Sequence, residues 1–242
     1  MQASPPSLFL LATEPVRAAL EYAQMRFTQN DTLPRVRDHP VVIFPGLATD
    51  SRFTAPLAKH CRSLGCTTYD WGRGYNRGPQ GHVTRWLDAL AKDVERLIAP
   101  HDAPATLIGW SLGGIYAREI AKRLPHRVRQ VITIGTPVAG GAEQTHATWL
   151  YRLLNGRSPK VGARLLRELR TPPLCPTTSI YSRSDGIVAW QACQHPPAGN
   201  VENIEVQSSH LGLVWHREVL SIIADRLTAA PSKVSADIKA AH

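Results

Sequence analysis

Apolar positions along the chain fall into two rhythms. The short unbroken run Val41-Val42-Ile43-Phe44 suits a strand buried on both faces, and Ala105 to Ile108 and Val128 to Ile134 read as further strands. Between them, apolar residues recur at helical spacing. Phe53, Leu57, Ala58, Cys61 and Leu64 mark one helix, and Trp86, Leu87, Leu90, Val94 and Leu97 mark another over about 83–98. A third helix is predicted from Leu112 to Leu124. Thr67-Thr68-Tyr69 reads as a short strand leading into a Gly-rich loop from Gly72 to Gly81. That loop is expected at the sheet edge, with Tyr69, Trp71 and Tyr75 lining a pocket. From Ala142 to Pro176 there is only helix-like material. A strand (Thr177 to Tyr181), a helix from Gly186 onward and a strand (Ile204 to Gln207) follow. A last amphipathic helix carries Leu213, Val214, Val219, Leu220, Ile223 and Leu227. Strands alternating with helices predict a mostly parallel sheet of about six strands with helices on both faces. Val16, Ala19, Leu20, Ala23 and Phe27 predict one further helix near the N-terminus.

These elements divide the chain into an N-terminal helical extension (1–38), a main α/β domain (39–228) and a flexible tail (229–242). The helical insertion, 142–176, interrupts the main domain. With 242 residues, 43% hydrophobic and 19% charged, the chain can bury a sizeable core, which excludes a disordered protein. No run approaches the roughly 20 apolar residues of a membrane-spanning helix. The early apolar run Leu8 to Ala12 lacks a preceding Lys or Arg and is too short for an export signal. The expected location is cytoplasmic.

A net charge of +9 raises nucleic acid as a partner. The basic residues are scattered, and no zinc-finger spacing, RNA-binding signature or Lys/Arg block occurs, so no nucleic acid is expected. Cys61, Cys66, Cys175 and Cys193 form no C-x-x-C pair and fit no zinc template. Free thiols are expected, and neither a metal nor a cofactor.

The sharpest local signal is Gly109-Trp110-Ser111-Leu112-Gly113-Gly114, a G-x-S-x-G placed where a strand ends and a helix begins. Such a turn is a nucleophile elbow. It holds the serine in a strained conformation over the carboxyl end of the sheet, and the glycines avoid collisions. A serine hydroxyl needs a base to take its proton, and the chain order expected is Ser, then acid, then His. His210, in Ser208-Ser209-His210-Leu211-Gly212, directly follows the last strand and so shares the edge of Ser111. His126, His146, His195 and His216 fall elsewhere. Asp185 follows the strand Thr177 to Tyr181 and reaches the same edge; Glu143 is the fallback acid, and an Asp-Gly pair is also an ordinary turn. The oxyanion of acyl transfer needs amide donors. One is the N–H of Leu112. The other is assigned to Leu47, because Pro45 has no N–H and Gly46 lets the backbone come close.

On these residues the chain resembles the α/β-hydrolase superfamily, in particular its bacterial esterase- and lipase-like members, over about 39–228. The resemblance rests on Pro45-Gly46-Leu47, the elbow, Ser182-Arg183-Ser184-Asp185-Gly186 and Ser209-His210. It implies a minimal sheet lacking the two leading strands of larger relatives, and a helical lid at 142–176. Many relatives carry His where this chain has Pro45, which bears on the second oxyanion donor. The expected activity is hydrolysis of carboxylic esters, small-molecule or lipid, by Ser111, His210 and Asp185. An acyltransferase or a non-catalytic binding module on the same fold are the rivals. The insertion carries two apolar stripes and six basic residues, Arg152, Arg157, Lys160, Arg164, Arg167 and Arg170. Packing on the body accounts for them as well as peripheral contact with an anionic membrane surface does.

Overall fold

The computed structural model describes residues 6–27, 36, 39–138 and 163–229. Six parallel strands form one sheet: β1 (His39–Phe44), β2 (Cys66–Asp70), β3 (Ala105–Trp110), β4 (Val128–Ile134), β5 (Thr177–Ser182) and β6 (Val201–Val206). Their spatial order is β2-β1-β3-β4-β5-β6. The helices are α1 (Leu8–Phe27), α2 (Ala55–Ser63), α3 (Val83–Ile98), α4 (Leu112–Arg123), α5 (Ala163–Arg170) and α6 (Arg217–Thr228).

Strands β1, β3 and β5 are buried at every residue, as a sheet covered on both faces requires. In β1 the pleat sends Val41 and Ile43 to one side, where Leu57, Cys61 and Leu64 from α2 and its end meet Val219, Ile223 and Leu227 of α6. Val42 and Phe44 go to the other side, against Leu87, Leu90 and Val94 of α3 and Tyr116, Ala117 and Ile120 of α4. The edge strand β6 exposes Glu202 and Glu205, whose charges discourage pairing with another sheet.

The strand order reverses between β1 and β3. The chain leaves β1 toward β2 on one side, and builds β3 to β6 on the other. Such a switch point opens a crevice beyond the carboxyl ends of the two strands. Here those ends carry Pro45-Gly46-Leu47 and Ser111.

Several elements differ from the sequence reading. Helix α1 begins at Leu8 and contains Pro15. A proline inside a helix removes a hydrogen bond, and tertiary contacts of the neighbouring Glu14 and Arg17 hold this turn in place. The helix expected after Gly186 is only a 3-10 turn, Trp190–Cys193. There Asp185 Oδ1 accepts the N–H groups of Ile187 and Val188, which fixes a turn instead of a helix start. The final helix is split into a 3-10 turn, Gly212–Val214, and α6, with His216 as the N-cap residue.

Residues 139–162, with Glu143, His146, Arg152, Arg157 and Lys160, lie outside the described residues, as does the tail beyond 229. Of the expected lid, α5 is described. Its C-terminal carbonyls are capped by cations of α4: Arg118 donates to Leu169 O (2.8 Å) and Thr171 O (3.1 Å), and Lys122 to Glu168 O (2.6 Å). Cations suit a helix C-terminus, where carbonyl groups lack partners. All four cysteines are free and buried. Among the described residues no helix is long and apolar enough to cross a membrane, and no three His, Cys, Asp or Glu side chains gather to hold a metal ion.

Candidate active site

Ser111 sits between β3 and α4 with φ 54° and ψ −123°. Positive φ is costly for a residue with a Cβ, and the surroundings hold it there. Its N–H donates to Ile134 O (2.8 Å), and Thr136 Oγ1 donates to its carbonyl (2.9 Å). The neighbouring glycines are required by contact. A Cβ on Gly109 would lie 2.3 Å from Gly114 Cα, and one on Gly113 would lie 2.2 Å from Phe44 O. The strain therefore comes with a close-packed cradle. Leu112 is the first residue of α4, where an N–H has no intrahelical acceptor.

The loop after β1 approaches the elbow closely. A Cβ on Gly46 would stand 2.7 Å from the Trp110 ring and 3.3 Å from Ser111 Cβ. Its shape is set by Asn76, a fully buried residue of the Gly-rich loop. Asn76 Nδ2 donates to Pro45 O, Ala48 N–H donates to Asn76 O, and Asn76 N–H donates to Thr49 O, each over 2.8 Å. Tyr116 OH and Gly78 N–H in turn donate to Asn76 Oδ1. Ala48 takes a positive φ of 62° within this frame. Of the residues expected to line a pocket, Trp71 is buried and stacks on Tyr116 with centroids 5.8 Å apart.

At the far side of the same edge, His210 Nδ1 lies 2.6 Å from Asp185 Oδ2. Both side chains are almost fully buried. The other carboxylate oxygen is occupied by the N–H groups of Ile187 and Val188, which fixes the orientation of Asp185. Ser182 joins the two loops: its Oγ donates to Ser208 O (2.7 Å) and receives Ser208 N–H (3.1 Å). His210 is also tied to the elbow through Trp110, whose indole N–H donates to His210 O. Burial opposes a charged imidazole, yet the Asp185 carboxylate at Nδ1 and the nearby Glu14 outweigh it, so the His210 pKa is raised above 6.5.

The carboxylates of β6 and α4, and His195, serve elsewhere. Glu205 pairs with Arg183 and Glu202 with Arg226 at the outer strand. Glu119 lies in α4 between Lys122 and Arg123. His195 is buried, and desolvation followed by Arg118 and Lys122 lowers its pKa to about 3. Sequence reasoning missed Asn76, Thr136, Glu14 and Glu21, all of which hold loops of this site.

Residues 39–172 match the family model of the alpha/beta hydrolase fold, and the chain belongs to that family. Over 79 residues it is 38% identical to a pimeloyl-[acyl-carrier protein] methyl ester esterase of Aromatoleum aromaticum, a match spanning 32% of this chain and 28% of that protein. The match thus covers well under two thirds of that relative's length. Among solved structures, Aspergillus fumigatus lipase B superposes with a TM-score of 0.62 at 20% identity, over 83% of this chain and 56% of the other. A Bacillus licheniformis lipase in its mature form gives 0.62 at 16% identity, over 83% and 96%. At these identities the two structures speak for the fold.

Proposed function

We propose that this protein hydrolyses carboxylic esters through an acyl-enzyme on Ser111. The observation that carries the reading is the buried His210–Asp185 pair, 2.6 Å apart, on the same sheet edge as a strained serine. With Nδ1 committed to Asp185, the other imidazole nitrogen is the one available to take a proton. In this scheme Ser111 Oγ attacks the ester carbonyl while His210 accepts its proton. The N–H groups of Leu112 and Leu47 hold the oxyanion, Leu47 being favoured because Ala48 already donates to Asn76. His210 then returns the proton to the departing alcohol, and Asp185 stabilises the imidazolium. Water, deprotonated by His210, releases the acid. The Aromatoleum relative, named a methyl ester esterase, supports an ester substrate. No metal or cofactor enters the scheme.

The test is labelling of purified protein with a fluorophosphonate, read by intact mass, beside turnover of short-chain p-nitrophenyl esters. The expected result is one adduct and measurable turnover, both lost in Ser111→Ala. Failure of the unaltered protein to label or turn over would reject the reading and favour a binding module. Turnover rising with added alcohol, with transfer product formed in place of acid, would favour acyl transfer.

A further inference from the structure

Helix α1 precedes the sheet in sequence, yet it docks against the two loops that carry Asp185 and His210. Glu14, 2% exposed, lies at the junction. Its Oε1 accepts Gly186 N–H (2.7 Å) from the acid loop and His210 N–H (3.0 Å) from the base loop, and Oε2 accepts Leu211 N–H (3.3 Å). Two turns on, Glu21 accepts Ser209 N–H (2.8 Å) and its hydroxyl (2.5 Å). Arg17 pairs with Glu14 (3.0 Å) and donates to Ser184 O (2.8 Å).

The glycines of the two loops report the same fit independently. A Cβ on Gly186 would lie 2.5 Å from the Leu10 carbonyl, and one on Gly212 would lie 1.5 Å from Glu21 Oε2. Neither glycine has a positive φ; at Gly186 the α1 backbone excludes a side chain, and at Gly212 the near atom is the Glu21 carboxylate itself. A buried carboxylate is costly unless hydrogen bonds compensate it. Three backbone donors and a guanidinium do so here; one donor, Gly186, directly follows Asp185, and another belongs to His210 itself.

We propose that Glu14 is a positioning residue, which joins the acid loop to the base loop and so sets the alignment of His210 on Asp185, with Glu21 and Arg17 completing the clamp. This deepens the reading of Ser111, His210 and Asp185 as catalytic. The ionisable groups around the pair are Glu14 with Arg17 and Glu21 on α1, and the Cys193 thiol near Asp185, which burial keeps protonated. Of these, Glu14 adds to Asp185 in favouring the imidazolium.

The experiment pairs steady-state kinetics with NMR of imidazole-labelled histidine in the full chain. Glu14→Gln keeps the shape and removes the charge; Glu14→Asp keeps the charge and retracts it. In Glu14→Gln the His210 pKa should fall and the acid limb of kcat should follow it downward. In Glu14→Asp the Nδ1–H resonance of His210 should shift upfield. Both should lose about 10- to 100-fold in kcat with KM nearly unchanged, as misalignment at a reacting centre costs. If Glu14→Gln does not fold, Glu14→Asp carries the same decision. An unchanged His210 titration, Nδ1–H resonance and kcat, with only a lower melting temperature, would overturn the proposal. The NMR readout needs no turnover. Expected shifts in a protein inert to esters and to the fluorophosphonate would therefore sustain the clamp while rejecting the catalytic reading.

Discussion

The indole Nε1–H of Trp110 donates to the carbonyl oxygen of His210 over 3.1 Å, and its ring lies 5.3 Å from the imidazole. The residue that ends β3 thus grips the residue proposed as base, and the next residue along is the proposed nucleophile. Strand β3 therefore fixes both, while the loop after β5 carries Asp185, the proposed acid. The site's precision comes from three strand ends rather than from one loop.

Replacing Asp185 should separate its two roles. Asp185→Asn keeps an acceptor for Ile187 and Val188 but favours the wrong imidazole tautomer, so kcat should drop about 10⁴-fold with a near-normal melting temperature. Asp185→Ala also removes the acceptor of the buried Val188 N–H, at about 1–3 kcal/mol, and of the part-buried Ile187 N–H. It should lose stability as well as activity. Comparable kcat for Asp185→Asn and the unaltered protein would remove Asp185 from the mechanism.

The pH profile has a direction set by the structure. His210 must be neutral to accept a proton, and its pKa is raised. Activity should therefore decline as pH falls through a midpoint above 6.5, measured as kcat/KM from pH 5 to 9 with folding checked at each pH. A midpoint below 6.5 would contradict the electrostatics of the buried pair.

Asn76 offers a prediction far from any proton transfer. Asn76→Ala strips partners from Pro45 O and Gly78 N–H, and should destabilise the protein by about 1–3 kcal/mol for each of these buried groups. The oxyanion loop should also loosen, lowering kcat beyond what the melting temperature explains, with the acid limb unmoved. Full kcat in Asn76→Ala below its melting temperature would show that the loop holds itself.

Acid sensitivity should have a histidine component. His39 Nε2 lies 2.7 Å from Thr106 Oγ1, and desolvation followed by Arg129 lowers its pKa to about 4. Gln130 Nε2 donates to the same hydroxyl oxygen. The unfolded chain takes up the proton at about 6.5 and the folded one near 4, so stability is complete above 6.5 and falls as pH drops toward 4. Urea midpoints at pH 7.5, 5.5 and 4.5 should decrease in that order, less steeply in His39→Gln. An identical slope in the variant would remove His39 from the account.

Periodicity and chain order carry far in this molecule. The strand read at Val128 to Ile134 forms β4 with those ends, and the stripe over 83–98 forms α3. The strand-to-helix setting of Ser111, and the position of Asp185 and His210 beyond later strands, place all three at one sheet edge before any coordinates. Glu14 and Glu21 are beyond that logic. On a helix next to exposed Val16 and Leu20, a glutamate reads as solvated, since carboxylates are seldom buried without partners. Its partners here are backbone amides at residues 186 and 209–211, which leave no trace in side-chain pattern. Asn76 is hidden for the same reason: its bonds are to backbone groups of a distant loop. The 3-10 turn after Asp185 was masked by helix-compatible composition, because one carboxylate oxygen decides the local geometry.

The docking of α1 has a temporal consequence during synthesis. Glu14 and His210 are 196 residues apart in the chain, so the first helix leaves the ribosome long before its seat is made. At about 5–20 residues per second the interval is about 10–40 s. A contact of such high sequence separation closes late, because its loop entropy must be overcome before it contributes stability. The nascent chain can therefore assemble β1 to β4 and the elbow while His210 is still untranslated, and the proposed base arrives in a site whose nucleophile is already cradled. Seating of α1 therefore waits for the loops at 184–186 and 209–211, and turnover by the proposed site follows it.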